Sequence, residues 1–416
     1  MPKRKYSFFM PAEDHAFVKR SVIYSRMWLS DMGRILCGII FIGGMVSSPG
    51  LHIDAYMLPS FIMAIFITAF IFAYINRPNI SVNRILPSPC SAGEHLVYDV
   101  VVKNEGRYPA RNIKISEGVL PYGIYDAPDH PSYEGFVDWL EPGENITIKL
   151  VIRCKYRDIY DLTYLLVGSS YPSEILRFPV KIPKNNKLIV YPKFITQTDF
   201  YVPFKRVYQP GGIAISSNVG DSNEFLNTRD YRKGDRLKDI HWASYARTGK
   251  LIVKEYVDEY FIRIGILLDT EQSSVWQKDA EVLETRISVA AGIADAIAKK
   301  DYIIDLFAAG DILHHFQMGR ALAHLENLLE LLAGIEEAKN VNFELLQNNL
   351  SPHIKQLSSM IILLGDWDKR RQDLCDSVES MGTKIRVIIF RDKPLTKEPD
   401  REVTVIYTKD KEWLIK

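Results

Sequence analysis

The sequence predicts a multidomain protein with an N-terminal transmembrane helical hairpin, an antiparallel β-sandwich and then an α/β doubly wound parallel sheet. Three observations predict it: an uncharged apolar run, a series of short alternating strands, and a strand–helix rhythm in the last third. With 416 residues, of which 47% are hydrophobic, the chain can fill two or three separate cores. The predicted segments are a cytoplasmic N-terminal segment (1–27), the transmembrane hairpin (28–76), the sandwich (77–185), a connecting region (186–257) and the doubly wound domain (258–416).

The membrane prediction depends on two apolar stretches. "MLPSFIMAIFITAFIFAYI", from Met57 to Ile75, contains no charge and is long enough to cross a bilayer as a helix. Upstream, "ILCGIIFIGGMV" is shorter and crosses only if its neighbours complete the span. Between them "SSPGLHID" carries Pro49 and Gly50, which predicts a tight turn. The alternatives are a cleaved signal peptide and a buried helical hairpin of a soluble core.

Charge around the predicted hairpin sets its orientation. Lysines and arginines precede it and follow it, whereas the turn between the two stretches has none. The positive-inside rule then predicts that both termini lie in the cytoplasm.

The β-sandwich and the doubly wound sheet follow from two different periodicities. "EHLVYDVVVKNEG", "RNIKISEGVLP" and "ENITIKLVIRCKYRDIYDLTYLLVG" alternate apolar and polar residues, as half-buried strands do. After residue 260, apolar strands such as "FIRIGILLD" alternate with amphipathic stretches such as "DAEVLETRISVAAGIADAIAKK". No GxGxxG motif and no P-loop motif occurs, so the sequence supports no nucleotide site.

Charge and cysteine content exclude several classes of protein. Lysine and arginine number 52 against 51 acidic residues, which gives no overall attraction to nucleic acid. The four cysteines are scattered without a CxxC motif, so neither a disulfide framework nor a structural zinc site is expected, and a reducing compartment fits best.

A candidate metal site follows two strands of the predicted sheet. "DTEQSS" places Asp269, Glu271 and Ser273 after the first strand, and "LLGDWD" places Asp366, with Asp368 as a further candidate, after a later one. These are hard oxygen donors at the edge where open α/β sheets bind ligands. They resemble the metal-ion-dependent adhesion site of von Willebrand factor type A domains, although Glu271 replaces a serine and the second-loop threonine is missing. Weak binding of Mg²⁺ is therefore expected. The alternative is that these side chains face water or cap helices.

The stretch "EFLNTRDYRKGDRLKDIHWASYARTGKLIVKEY" (residues 224–256) predicts a structured insert. Asp235 is a natural N-cap for a helix over residues 236–248, Gly249 ends that helix, and a strand follows. Its charges alternate in sign, which suits internal ion pairs better than a nucleic-acid backbone. His241 lies too close to its polar neighbours on one helix to form a catalytic relay with them.

The same stretch resembles the signature of the bacterial family known as domain of unknown function 58. The matching positions, in chain order, are Arg229, Tyr231, Gly234, Asp235, Ile240, His241, Trp242, Ala246, Arg247 and Gly249. Two departures occur: "RDIY", from Arg157 to Tyr160, where the family usually has Arg-Gly-x-Tyr, and "SYPSEIL" where it usually has Asp-Pro-Phe-Gly.

The resemblance implies two membrane helices, a sandwich and a type A-like domain, at the bacterial inner membrane with the soluble domains in the cytoplasm. It also implies the company of a MoxR-type AAA ATPase. We therefore expect a non-catalytic, membrane-anchored adaptor that binds its partner at the metal edge, with the bilayer and the ATPase as its partners. The alternative function is a metal-dependent hydrolase that uses the strand-end carboxylates. Signature residues Arg229, Asp235, His241, Trp242 and Arg247 are expected to fix the type A-like domain against the sandwich.

Overall fold

The computed structural model describes residues 16–47, 53–87, 89–194, 225–233, 235, 237–256, 262–271, 277–300, 302–309, 313–318, 322–338 and 341–407. The chain divides into two compact units, each described by itself below. One comprises Met1–Ile195, Ser273–Ala291 and Glu326–Glu336. The other comprises Thr196–Gln272, Gly292–Leu325 and Glu337–Lys416.

Three helices begin the first unit: α1 (Ala16–Trp28), α2 (Asp31–Ser47) and α3 (Ile53–Ile75). Along α3 a narrow stripe of small and apolar residues is buried, including Ile62, Ala69 and Ala73, while large apolar side chains are exposed around the rest of the helix. Among the described residues, the one helix long and apolar enough to cross a membrane is this one, over Met57–Ile75. The predicted long apolar helix is therefore present.

The junction between α1 and α2 pairs with the loop over residues 170–179, which connects the last two strands of the first unit. Leu29 forms a β-bridge with Leu176, and the Ser30 N–H donates to the carbonyl of Ile175 at 3.1 Å. The Ser30 hydroxyl donates to the carbonyl of Glu174. A Cβ at position 33 would lie 2.3 Å from the Ile175 carbonyl oxygen, so glycine is required where α2 meets this loop.

Two sheets of the first unit share one hydrophobic core, as in a sandwich. Their strand orders are β1-β3-β7-β5 and β2-β9-β8-β4-β6. All pairs are antiparallel except β2–β9. The strands are β1 (Ile80–Ile85), β2 (Cys90–Ser91), β3 (His95–Asn104), β4 (Ala110–Glu117), β5 (Ile124–Asp126), β6 (Phe136–Leu140), β7 (Asn145–Cys154), β8 (Asp158–Ser169) and β9 (Val180–Tyr191).

A buried ion pair joins the two sheets. Arg84 on β1 donates to both carboxylate oxygens of Glu117 on β4, at 2.9 and 2.8 Å. Tyr98 on β3 donates to the same carboxylate at 2.5 Å, and the remaining Arg84 nitrogen donates to Asn186 and to the Lys184 carbonyl. Because every charged atom has a partner, the pair avoids most of the cost of burying unpaired charge.

Two cysteines also meet between the sheets. Cys90 on β2 and Cys154 at the end of β7 are both buried, and their sulfur atoms are 3.3 Å apart. They are free thiols. Their proximity could not be read from the scattered cysteine positions.

Asp126, at the end of β5, gives the sandwich a pH-dependent stability. Burial, and then the neighbouring Glu117 carboxylate, raises the pKa of Asp126 to about 6, although Arg26 and Lys114 act in the opposite direction. Because the folded-state pKa lies above the unfolded value, its contribution to stability is fully present below about pH 4 and is lost as the pH rises through about 6.

We therefore expect Asp126→Asn to stabilise the protein at about pH 8, by about 2 kcal/mol, and to leave the free energy of unfolding unchanged near about pH 4. Denaturant unfolding in detergent solution at both pH values measures the difference. The exposed Asp129, three residues further along, provides the control, and Asp129→Asn should change stability little at either pH. Equal effects of Asp126→Asn at the two pH values would contradict this explanation.

Arg157, in the turn between β7 and β8, is almost completely buried, with 1% of its surface exposed. One of its nitrogens donates to the carbonyls of Leu332, Ala333 and Ile335, each at 2.9 Å. Its Nε lies 2.9 Å from the carboxylate of Glu284. The guanidinium therefore caps the C-terminal end of helix α6 (Leu322–Gly334), where carbonyl groups lack helical partners.

The second unit contains a two-stranded antiparallel sheet and a six-stranded sheet of order β14-β13-β12-β15-β16-β17. All pairs of the larger sheet are parallel except β13–β14. Its strands are β12 (Arg263–Asp269), β13 (Ile303–Ala309), β14 (Leu313–Met318), β15 (Ser359–Leu364), β16 (Lys384–Phe390) and β17 (Thr404–Ile406). In chain order, helices α5 (Gln277–Ala298), α6, α7 (Phe343–Ile354) and α8 (Lys369–Ser380) alternate with these strands, and most of α5 and α6 belongs to the first unit. Strands β12 and β15 are buried along their whole length, as the continuous apolar runs predict.

Candidate functional site

The carboxyl ends of β12 and β15 meet at one edge of the six-stranded sheet, because the two strands are parallel neighbours. Asp269 ends β12 and is fully buried. One of its oxygens accepts the Glu271 N–H at 2.9 Å, and the other accepts the Gly365 N–H at 3.1 Å. Asp269 and Glu271 therefore lie at this edge, where the sequence predicts polar side chains.

An arginine fills the space between these carboxylates. Arg371, in the first turn of α8, donates to Asp269 at 2.9 Å, to Glu271 at 2.5 Å and to Asp368 at 2.6 Å. Burial lowers the pKa of Arg371, but the three carboxylates outweigh burial and raise it above its ordinary value. The more exposed Arg370 adds contacts to Glu271 and Asp368.

The donor set does not fit a divalent cation. The guanidinium of Arg371 lies where an ion bound to Asp269 and Glu271 would have to lie, and it already offsets part of their negative charge. Asp366 points elsewhere, because it pairs with Arg391 and accepts from the Thr396 N–H at 3.1 Å. No group of three potential metal ligands converges in the part of the chain that the structure describes, and Ser273 lies outside it.

The signature stretch forms a small module of its own. Strand β10 (Phe225–Asp230) pairs antiparallel with β11 (Ile252–Tyr256). Arg229 donates to both oxygens of Asp235, at 2.6 and 2.9 Å. This pair, together with the Arg232 N–H, lowers the pKa of Asp235 to about 2. The internal ion pairing expected from the alternating charges is thus found at Arg229 and Asp235.

The single helix predicted over residues 236–248 is wrong. A 3-10 helix (Leu237–Asp239) and α4 (Trp242–Thr248) are separated at Ile240, which forms a β-bridge with Val253. Asp235 cannot act as the N-cap because its oxygens are taken by Arg229 and the Arg232 N–H. The helix end was predicted correctly, since Gly249 has φ of 66° and its N–H donates to the Tyr245 carbonyl.

The family match covers most of this module and of the six-stranded sheet. Residues 227–403 match the family model described as "Protein of unknown function DUF58". This part of the chain is similar to the DUF58 family. The "Uncharacterized protein YeaD" of Bacillus subtilis (strain 168) is 22% identical over 213 residues, which is 50% of this chain and 50% of that protein. The chain therefore matches about half of that relative's length.

Solved structures resemble the chain only remotely. The E. coli alpha-2-macroglobulin structure shares 19% identity over 35% of this chain and 8% of that chain, with a TM-score of 0.21. The CARDB domain of a Pyrococcus furiosus protein in complex with di-metal ions shares 13% identity over 27% of this chain and 89% of that chain, with a TM-score of 0.17. At such low scores neither structure bears on function.

The module formed by the signature stretch has apolar side chains on its surface. No residue of α4 is buried. Trp242 is 61% exposed and packs edge-on against Tyr245, with ring centroids 6.1 Å apart. Leu237 and Leu251 are also exposed, whereas Ile240 and Val253 form the buried part of the module. We call Leu237, Trp242, Tyr245 and Leu251 the signature surface.

The remaining signature residues have local partners. The Nδ1 atom of His241 lies 2.5 Å from the Ser244 hydroxyl, and the Tyr231 N–H donates to the Leu251 carbonyl at 3.0 Å. Arg247 is exposed, and Gly234 lies outside the described residues. These contacts stabilise the module itself. A role for the signature in fixing the sandwich stays a prediction.

Sequence reasoning missed a polar cluster near the start of β13. The buried Asp305 forms an ion pair with Arg263 and lies within hydrogen-bond distance of His315, whose Nε2 is 3.0 Å away. His315 stacks on Phe307 and lies 4.1 Å, centroid to centroid, from His353. Burial, followed by His315, lowers the pKa of His353. These residues come from three separate segments of the DUF58 region, so no local spacing could have predicted the cluster.

Proposed function

We propose that the protein is a membrane-anchored, non-catalytic interaction module that binds a MoxR-type AAA ATPase through the signature surface. The observation that carries this proposal is the exposure of Trp242 and Tyr245 on a helix that buries none of its own residues. Exposed aromatic side chains of this kind are typical of the centre of protein–protein interfaces.

The anchor in this proposal is a two-pass hairpin at the bacterial inner membrane, with both soluble domains in the cytoplasm. The exposed apolar surface of α3 supports it, because a soluble core helix would bury that surface. Helix α2 also exposes large apolar residues, among them Phe41 and Ile42. Basic residues flank both helices, which is the basis for the cytoplasmic orientation.

The six-stranded sheet is, in this proposal, a doubly wound domain of the von Willebrand factor type A kind. Its strand order supports this, because the chain starts at β12 and builds outward on one side before returning to the other. Arg371 occupies the carboxylate edge, so we move the docking surface from that edge to the signature surface. The hydrolase alternative gains no support, since the same arginine binds the carboxylates that it would use.

Site-specific photocrosslinking tests the adaptor role. A photoreactive phenylalanine analogue in place of Trp242 is expected to capture an AAA ATPase in native membranes, identified by mass spectrometry. The matched control is the same analogue at Tyr108, which is 81% exposed in the first unit and should not capture it. Capture of no ATPase at position 242, or equal capture at both positions, would contradict the proposal.

A further inference from the structure

Both apolar helices have an end at the loop that contains Arg177 and Phe178. The Arg177 N–H donates to the Trp28 carbonyl at 2.8 Å, just before α2 begins. Phe178 contacts Trp28 at 5.0 Å and Tyr74, near the end of α3, at 5.6 Å between ring centroids. Arg77 lies over the rings of both Tyr74 and Phe178, 3.9 and 3.8 Å from their centroids. Trp, Tyr and Arg in this arrangement are typical of the boundary between hydrocarbon and water.

Positive charge accumulates at the same place. Arg177 and Lys114 of β4 form no ion pair within the described residues, and Arg177 also has a buried Nε without a hydrogen-bond partner. The nearest acidic groups have other partners: Asp31 pairs with Arg34 at 2.5 Å, and the Glu174 carboxylate accepts from Asn112 at 2.7 Å.

The pKa shifts of Lys114 and Arg177 agree with positive charge that no acidic side chain balances. Burial, and then the positive charges of Arg177 and Arg34, lowers the pKa of Lys114. Burial lowers the pKa of Arg177 as well, with Asp31 opposing the shift and Arg34 adding to it. An anion between them would relieve the mutual repulsion.

We propose that Arg177 and Lys114 bind the phosphate of an anionic phospholipid headgroup, with Arg34, which pairs with Asp31, adding positive charge beside them. A guanidinium can hold two phosphate oxygens at once, and the lysine adds a point charge. A phospholipid, and not a soluble phosphate, is the ligand because the cations lie beside the aromatic residues at the ends of the apolar helices. The inference rests on the membrane anchoring proposed above and adds a lipid preference to it.

Lipid binding by the full chain in nanodiscs provides the test. Native mass spectrometry counts phosphatidylglycerol retained from a phosphatidylcholine background. Arg177→Gln and Lys114→Gln should each weaken retention about fivefold, as loss of one cation near a lipid surface predicts. The exposed Arg34→Gln should act in the same direction and guards against a folding defect in the other two variants. Arg153→Gln is the control, because Arg153 lies at the end of the sandwich away from α3. In the strand register Arg153 is opposite His95, the first residue of β3. Asn104, the last residue of β3, is opposite Ile80, which comes just after α3.

Each outcome has one meaning. Equal phosphatidylglycerol retention in wild type and in all three variants overturns the lipid site while leaving the anchor intact. Competition by inorganic phosphate at millimolar concentration, with no preference for the lipid, overturns the lipid as the ligand. Wild-type protein that leaves the membrane fraction on carbonate washing overturns the anchoring itself, and with it the proposed function.

Discussion

Replacing Arg157 with alanine is expected to lower the free energy of unfolding by about 3–5 kcal/mol. The change removes the guanidinium that pairs with the Glu284 carboxylate and that donates to three carbonyl groups at the end of α6. Arg157→Lys should recover only part of the loss, because an ammonium group cannot donate from a planar fork to the helix end and to Glu284 together.

Denaturant unfolding and limited proteolysis measure the effect. Arg153, four residues earlier on β7 and exposed, provides the matched arginine control, and Arg153→Ala should change stability by no more than about 0.5 kcal/mol. If Arg157→Ala is as stable as Arg153→Ala, the cap contributes nothing to the fold.

A second large effect is expected at Arg371. Arg371→Ala removes the buried cation that contacts three carboxylates, of which Asp269 is fully buried, and should cost about 3–5 kcal/mol. Neighbouring Arg370 contacts two of the same carboxylates, but its side chain is 53% exposed, so Arg370→Ala should cost no more than about 1 kcal/mol. Comparing the stability losses of these two variants separates the effect of burying an arginine from the effect of its charge.

Magnesium provides a further comparison for the same variants. Mg²⁺ should leave the melting temperature of the wild type unchanged, because Arg371 already occupies the space between the carboxylates. It should raise the melting temperature of Arg371→Ala, where the carboxylates become available to a cation. A wild-type protein that is stabilised by Mg²⁺, with the effect abolished by Asp269→Ala, would restore the metal site that the sequence predicts.

The sequence predicted the elements that depend on local pattern. Alternation along "HLVYDVVVKN" matches the burial of Tyr98, Val100 and Val102 in β3. The apolar run of β12 is buried throughout, and Gly249 ends α4 where its position predicts. In each case the responsible residues lie within a few positions of one another.

What the sequence could not predict depends on contacts between distant segments. Arg371 reaches Asp269 from a position about one hundred residues later in the chain, and nothing in either local motif indicates the other. Arg157 drew attention only as a departure from a family pattern, yet it is among the largest fully buried side chains. Asp235 has the features of an N-cap, but a tertiary ion pair with Arg229 competes successfully for its oxygens.

The bridge between Leu29 and Leu176 has a mechanical consequence. Only a few residues separate the end of α3 at Ile75 from the start of β1 at Ile80, and a single covalent connection of this kind would let the sandwich swivel about the helix. The bridge, together with the hydrogen bonds of Ser30 to the 174–175 backbone, adds a second attachment at α2. With two attachments, the sandwich cannot rotate freely about either helix. A force applied to the sandwich is therefore passed to the apolar helices as rotation or tilt, and is not absorbed by a loose tether.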